Sequence, residues 1–169
     1  MSVKIMITDD HSMIREGLRQ LLELEGEFKV VAEACDGIEC LEKLETVTPD
    51  VMLLDINMPR MNGLEVLQKM KEKKLKVKVL VLTVHNEVEY LLKAVDIGVD
   101  GYLLKDSESA ELKKAILAVD GGENYIGIFL KLIGITYVCE FAANLCKDSG
   151  HIALSNQIEM FGKAAIMLA

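Results

Sequence analysis

Residues 51–63 read Val51-Met52-Leu53-Leu54-Asp55-Ile56-Asn57-Met58-Pro59-Arg60-Met61-Asn62-Gly63. Four consecutive apolar residues leave no polar face, so a strand here is covered on both sides, as strands of parallel sheets are. The run stops at a carboxylate, and Pro59 and Gly63 punctuate the loop beyond it. Outward in both directions the same unit recurs. Val3 to Thr8 runs into Asp9-Asp10, Phe28 to Ala34 is a second apolar run, Val79 to Leu82 ends at Thr83, and Tyr102-Leu103-Leu104 ends at Lys105. Between them apolar residues fall at helical spacing: Ile14, Leu18, Leu21 and Leu22; Ile38, Leu41 and Leu44; Leu64, Leu67 and Met70; Val88, Leu91, Leu92 and Val95; Leu112, Ala115, Ile116 and Val119. Five strands, each followed by a helix, predict an α/β fold with helices on both faces of a five-stranded parallel sheet.

Open sheets of this kind place their sites beyond the carboxyl ends of the strands. Asp9, Asp10, Asp55, Thr83 and Lys105 all fall there. Clustered carboxylates repel one another, and a divalent cation removes that repulsion. A hard ion such as Mg²⁺ takes oxygen ligands and keeps several waters. A lysine beside it cannot ligate the cation but can hold an anion, and a threonine hydroxyl can donate to one. The set therefore suits a phosphoryl group, with an aspartate as acceptor. Read singly, Asp9 or Asp10 could cap the first helix and Thr83 could simply end a strand; five such residues at strand ends favour a site.

Asp9-Asp10, Leu53 to Gly63, Leu82-Thr83 and Gly101-Tyr102-Leu103-Leu104-Lys105-Asp106 resemble the receiver domain of bacterial two-component response regulators. Leu104-Lys105-Asp106 and Gly121-Gly122-Glu123-Asn124-Tyr125-Ile126 look like its NarL/FixJ (LuxR-type) subgroup. The resemblance covers about residues 1–126. It implies a flavodoxin-like (CheY-like) doubly wound sheet of order 2-1-3-4-5. It implies a phosphorylation-dependent signalling switch in which Asp55 accepts a phosphoryl group from a sensor histidine kinase, with Mg²⁺ as cofactor. By the same resemblance Asp10 and Asp55 ligate the metal directly, Asn57 contributes its backbone carbonyl, and Asp9 acts mostly through water. Thr83 and Lys105 hold the phosphate, and Tyr102 is an aromatic switch that follows Thr83. Val84 stands where many receivers carry a smaller residue, so it is expected to control access of water to the site. His85 reads as a loop histidine. Such a switch is not an enzyme acting on a separate substrate; it catalyses its own phosphorylation and dephosphorylation. A phosphatase of related fold would want an acid-base aspartate where Asn57 stands.

The chain has 169 residues, 51% of them hydrophobic, and a net charge of −8. That is long enough for a core without disulfides or a structural metal. The N-terminus has no signal-peptide pattern, so the expected location is cytoplasmic and the four cysteines are expected to be reduced. An acidic chain needs a local basic surface to bind nucleic acid. Lys69, Lys71, Lys73, Lys74, Lys76 and Lys78 read instead as the cation-rich end of a helix.

The expected division is a receiver domain over 1–122 and an atypical apolar C-terminal tail over 123–169, a packing or association element. The 43 residues after Ile126 lack the Thr/Ser-x-Arg-Glu opening and Val-Lys-x-His recognition helix of the resembled subgroup. Residues 121–169 carry three lysines against four acids and no arginine. DNA binding is therefore not expected of this chain, and a truncated or divergent DNA-binding regulator of the LuxR type is the alternative. Tyr125 to Cys139 holds one charge, Lys131, and Glu140 closes the stretch at 15 residues, short of the ~20 that span a membrane. No membrane partner is expected; a second copy of the chain is a candidate partner. Within the tail, Ile126, Ile128, Leu130 and Leu132 alternate like a strand, while Phe129, Ile133, Tyr137 and Phe141 fit a helix. Residues 155–168 predict a terminal helix with Ser155 as N-cap. Cys139, Cys146 and His151 match no zinc spacing and read as buried thiols and a lone histidine.

Overall fold

The computed structural model describes the backbone of residues 2–24, 26–84 and 88–167; of the side chains at 88, 127–133, 135–136 and 163–167 nothing is said. Two compact units divide between Tyr125 and Ile126. This lies three residues past the boundary expected from the sequence.

The first unit runs β1 (Val3–Thr8), α1 (Ser12–Glu23), β2 (Phe28–Ala34), α2 (Gly37–Leu44), β3 (Val51–Asp55), α3 (Gly63–Glu72), β4 (Lys78–Thr83), α4 (Val88–Ile97), β5 (Gly101–Leu104) and α5 (Ser109–Asp120). All strand pairs are parallel, in the order β2-β1-β3-β4-β5. This is the CheY-like receiver fold. β3 is buried at every position because it lies centrally, with a paired strand on each edge. Ile5, Ile7, Leu53, Leu80, Leu82 and Leu103 pack one sheet face against Leu22 of α1 and Leu112, Ala115, Ile116 and Val119 of α5. The alternate residues Met6, Met52, Leu54 and Val81, equally buried, line the other face.

Two local devices aim the strand ends. Asp36 caps α2, accepting from the amides of Ile38 and Glu39 at 2.8 and 3.0 Å. Its carboxylate also pairs with Arg60, which holds the left-handed conformation (φ 64°) in the loop after β3. α3 opens on a capping box: Asn62 accepts the Glu65 amide at 3.0 Å and Glu65 accepts the Asn62 amide at 2.8 Å. At Gly63 a Cβ would lie 2.3 Å from the Asp55 carbonyl oxygen, so only glycine lets the helix start so close to the strand end. The lysine cluster is a helix terminus: Lys69 and Lys71 sit in the last turn of α3, Lys73 caps it, and Lys73 pairs with Glu45 at 3.2 Å.

The second unit holds α6 (Ile126–Asp148) and α7 (Ile152–Met167). The tail's strand-like alternation is overturned: residues 126–148 form a helix, which satisfies its own backbone within the segment. The helical spacing of Phe129, Ile133, Tyr137 and Phe141 was the correct period. The predicted Ser155 cap is also overturned. α7 starts at Ile152, and Ser155 lies inside its first turn, its amide donating to the His151 carbonyl at 3.1 Å. Cys139 meets Gly162, Lys147 meets Glu159 at 2.7 Å, and Ala143 and Ser155 are buried, so the two helices form an antiparallel hairpin with small residues between them. Tyr137, Val138, Phe141 and Leu145 occupy one stripe of α6 away from Cys139 and Ala143, each more than half exposed. Among the described residues no helix is long and apolar enough to cross a membrane.

Candidate functional site

The site is built at the carboxyl edge of the sheet. Asp9 follows β1, its amide donating to the Ala34 carbonyl of β2 at 3.1 Å. Asp55 ends β3, Thr83 ends β4, and Lys105 follows β5, tied in by its own amide to the Thr83 carbonyl at 2.8 Å. Asp9, Asp55 and Thr83 are buried. Lys105 Nζ lies 2.6 Å from Asp9 Oδ2 and 2.7 Å from Asp55 Oδ2, so one ammonium bridges two buried carboxylates. Asp55 Oδ1 accepts the Asn57 amide over a long 3.4 Å.

Asp10 is less buried and faces His11, whose Nδ1 lies 2.8 Å away. The approach lacks hydrogen-bond geometry: Asp10 Oδ1 is buried and, among the described residues, has no hydrogen-bond partner. One ligand atom from each of Asp9, Asp10, His11 and Asp55 lies within 4.8 Å of the others. Three carboxylates, with one buried oxygen left without a donor, fit a hard divalent cation. The alternative reading of Asp9 as a helix cap is not what is observed. His11 is the residue before α1, and Asp9 Oδ1 accepts the His11 amide at 2.9 Å.

Burial pushes the Asp55 carboxyl above its ordinary range, and the repulsion of Asp9 adds to this; the hydrogen bond and charge of Lys105 pull the other way. Burial would lower Lys105, but its bonds to Asp55 and Asp9 outweigh that and hold the ammonium above its usual value. The two shifts are consistent, since one cation is shared between two anions.

Of the other residues singled out in the sequence, Tyr102 is buried on β5 opposite Val81, Asn57 is exposed in the loop after β3, and Val84 is 65% exposed just beyond Thr83. His85 lies outside the described residues. Cys139, Cys146 and His151 do not come together as a donor group among the described residues. A second cluster, Cys35, Asp36 and Glu39, is spent on structure, with Asp36 capping α2 and Glu39 paired to Lys43 at 2.7 Å. All four cysteines are free; Cys139 and Cys146 are half-buried and not the buried thiols expected, and burial raises the Cys40 thiol to about 11.

Sequence reasoning missed two contributors. Arg15 donates to the Asp9 carbonyl at 2.6 Å from one turn along α1, and His11 joins the acidic cluster. Its position directly after two aspartates was the available signal for His11.

Residues 5–117 match the response regulator receiver domain family. The chain belongs to the response regulator receiver family. Such receivers are signalling domains, and this one is of the NarL/LuxR type. It is 44% identical over 119 residues to the nitrate/nitrite response regulator protein NarL of Escherichia coli, covering 70% of this chain and 55% of that protein. It is 41% identical over 124 residues to the transcriptional regulatory protein DegU of Brevibacillus brevis, covering 73% and 52%. The receiver domain of the NarL-like regulator of Mycobacterium tuberculosis superposes with a TM-score of 0.69 at 38% identity, covering 72% of this chain and 98% of that one. The chain thus spans about half the length of the curated relatives it matches. Residues 129–169 match a different family, the stage III sporulation protein AC/AD protein family, and not a helix-turn-helix domain.

Proposed function

We propose that this receiver is a phosphorylation-dependent switch of a two-component system, with Asp55 as the phosphoacceptor and a sensor histidine kinase as donor. The observation that carries this reading is the placement of Asp55: buried at the sheet edge, bonded to Lys105, and grouped with Asp9 and Asp10. In the transfer a carboxylate oxygen of Asp55 forms the new P–O bond as the donor's N–P bond breaks, its electron pair leaving with the imidazole. Lys105 stays beside the acceptor and neutralises the incoming charge, and the Thr83 hydroxyl donates to a phosphoryl oxygen. Asp9, Asp10, Asp55 and the Asn57 carbonyl would hold Mg²⁺, which when bound offsets the negative charge of carboxylates and phosphoryl group. Tyr102 couples the state of Thr83 to the surface, biasing a two-state equilibrium. The protein acts on no separate substrate and works in the cytoplasm.

Incubation with acetyl phosphate and Mg²⁺ is expected to add one phosphoryl group by intact mass, and Asp55→Asn to accept none. Undiminished labelling of that variant would sink the assignment. Val84 shields the phosphoryl group from water, so Val84→Ala is expected to shorten its lifetime by about tenfold, which needs only ~1.4 kcal/mol. An unchanged lifetime would remove Val84 from the site.

The receiver, expected over 1–122, extends to Tyr125, and the residues after it serve as an association element. The supporting feature is the outer surface of the hairpin. On α6, Tyr137, Val138, Phe141 and Leu145 form one exposed apolar stripe. A second copy of the chain covers this surface. A DNA-reading output is the weaker alternative, because phosphate contacts need cations and residues 121–169 hold no arginine and a net charge of −1.

A further inference from the structure

We propose that His11 is a ligand of the cation site and tilts it toward a first-row transition cation over Mg²⁺; this rests on the reading above that the acidic cluster holds a divalent ion. His11 Nδ1 lies 2.8 Å from Asp10 Oδ1 and 3.3 Å from Asp9 Oδ1. Neighbouring ligands of an octahedral ion bound at ~2.1 Å are separated by about 3.0 Å, so both spacings match edges of one coordination sphere.

The oxygens involved are the ones that Lys105 does not take, and Asp9 Oδ1 among them also accepts the His11 amide at 2.9 Å. Lys105 takes Oδ2 of Asp9 and of Asp55, which leaves Oδ1 of Asp9 on the His11 side. Asp10 Oδ1, buried and without a hydrogen-bond partner among the described residues, faces the same ring. A direct imidazole–carboxylate hydrogen bond would have satisfied that oxygen; an ion shared between the two groups does so in its place. The ring nitrogen is drawn between the two carboxylates, with a long hydrogen bond to Asp9 Oδ1 and the close approach to Asp10 Oδ1, and this is the position from which it would reach an ion held by both. A neutral imidazole nitrogen suits later first-row ions such as Co²⁺, Ni²⁺ and Zn²⁺ and adds little for Mg²⁺, which prefers oxygen. With Nδ1 toward the ion, Nε2 carries the ring proton.

The test titrates the full chain with Mg²⁺ by calorimetry and with Co²⁺ by its visible d–d absorption. His11→Phe keeps the bulk of the ring and removes no cap. Co²⁺ is expected to bind at least about tenfold more tightly than Mg²⁺. In His11→Phe the Co²⁺ affinity falls on the order of tenfold and its absorption changes, while Mg²⁺ affinity stays within about twofold. Asp10→Ala weakens both. Unchanged Co²⁺ binding in His11→Phe, or equal losses for the two cations, would overturn the role of His11 and leave the Mg²⁺ site standing. Absence of Mg²⁺ binding in the wild-type chain would overturn the cation site itself.

Discussion

Lys105 is one ammonium answering two buried carboxylates, and the arithmetic of that sharing sets the behaviour of Asp55. Asp55 gains part of one cation and stands beside a second anion, so burial wins and its carboxyl titrates above the ordinary range. In the folded state it therefore takes up its proton at a higher pH than in the unfolded chain. Between the two values the folded state binds more protons, and stability falls as pH rises through that window. Above it the cost is complete and constant. Asp55→Asn removes the cost while Lys105 keeps its 2.6 Å contact with Asp9. With divalent cations chelated, the variant is expected to melt a few degrees above wild type at neutral pH. The gap should close as pH falls into the ordinary carboxylate range. Thermal melts across pH decide this; a gap of constant size, or a wild type more stable at neutral pH, would show that burial of Asp55 is not the controlling term.

At the scale of the element, the turn from β3 into α3 has two supports of very different stiffness. The Asn62–Glu65 capping box is a pair of hydrogen bonds, and Asn62→Ala is expected to cost about 1 kcal/mol. The approach of Gly63 to the Asp55 backbone is a hard contact, and Gly63→Ala is expected to cost about 3 kcal/mol and to slow phosphorylation by displacing the strand end. Denaturant midpoints of the two variants should rank in that order; equal losses would mean the turn relaxes freely. The receiver's elements were legible in the sequence because each is amphipathic or bounded. Val51 to Leu54 is too short and too evenly apolar for a lone helix, and Asp55, Pro59 and Gly63 mark where it stops. The clustering of Asp9, Asp10, Asp55 and Lys105 followed from strand ends alone. That the exposed His11 ring reaches both Asp9 and Asp10 was signalled only by its place directly after them, because the ring's direction depends on the rotation of α1 over the sheet edge. In the tail the terminal helix was legible, since the helix expected over 155–168 is α7, but α6 was not: it is apolar on both the side facing α7 and the side facing outward, and such a helix carries no clear period.

For the whole molecule, the hairpin turns several large apolar side chains outward along one stripe of α6. If a second copy covers that outer surface, a charge in the middle of the stripe should undo the association and leave the receiver intact. Phe141→Asp is expected to convert a concentration-dependent dimer to monomer in sedimentation, with Asp55 phosphorylation unchanged; deletion of 127–169 should do the same. A wild-type chain that sediments as a monomer at all concentrations would refute the pairing. The central position of β3 carries a last consequence. Paired along both edges and buried throughout, it belongs to the part of the sheet whose amides exchange with solvent only when the domain opens globally. Asp55 is the final residue of that strand. The phosphoacceptor is thus tethered to the most persistent segment of the receiver, and fluctuations that fray the edges of the domain reach the aspartate last.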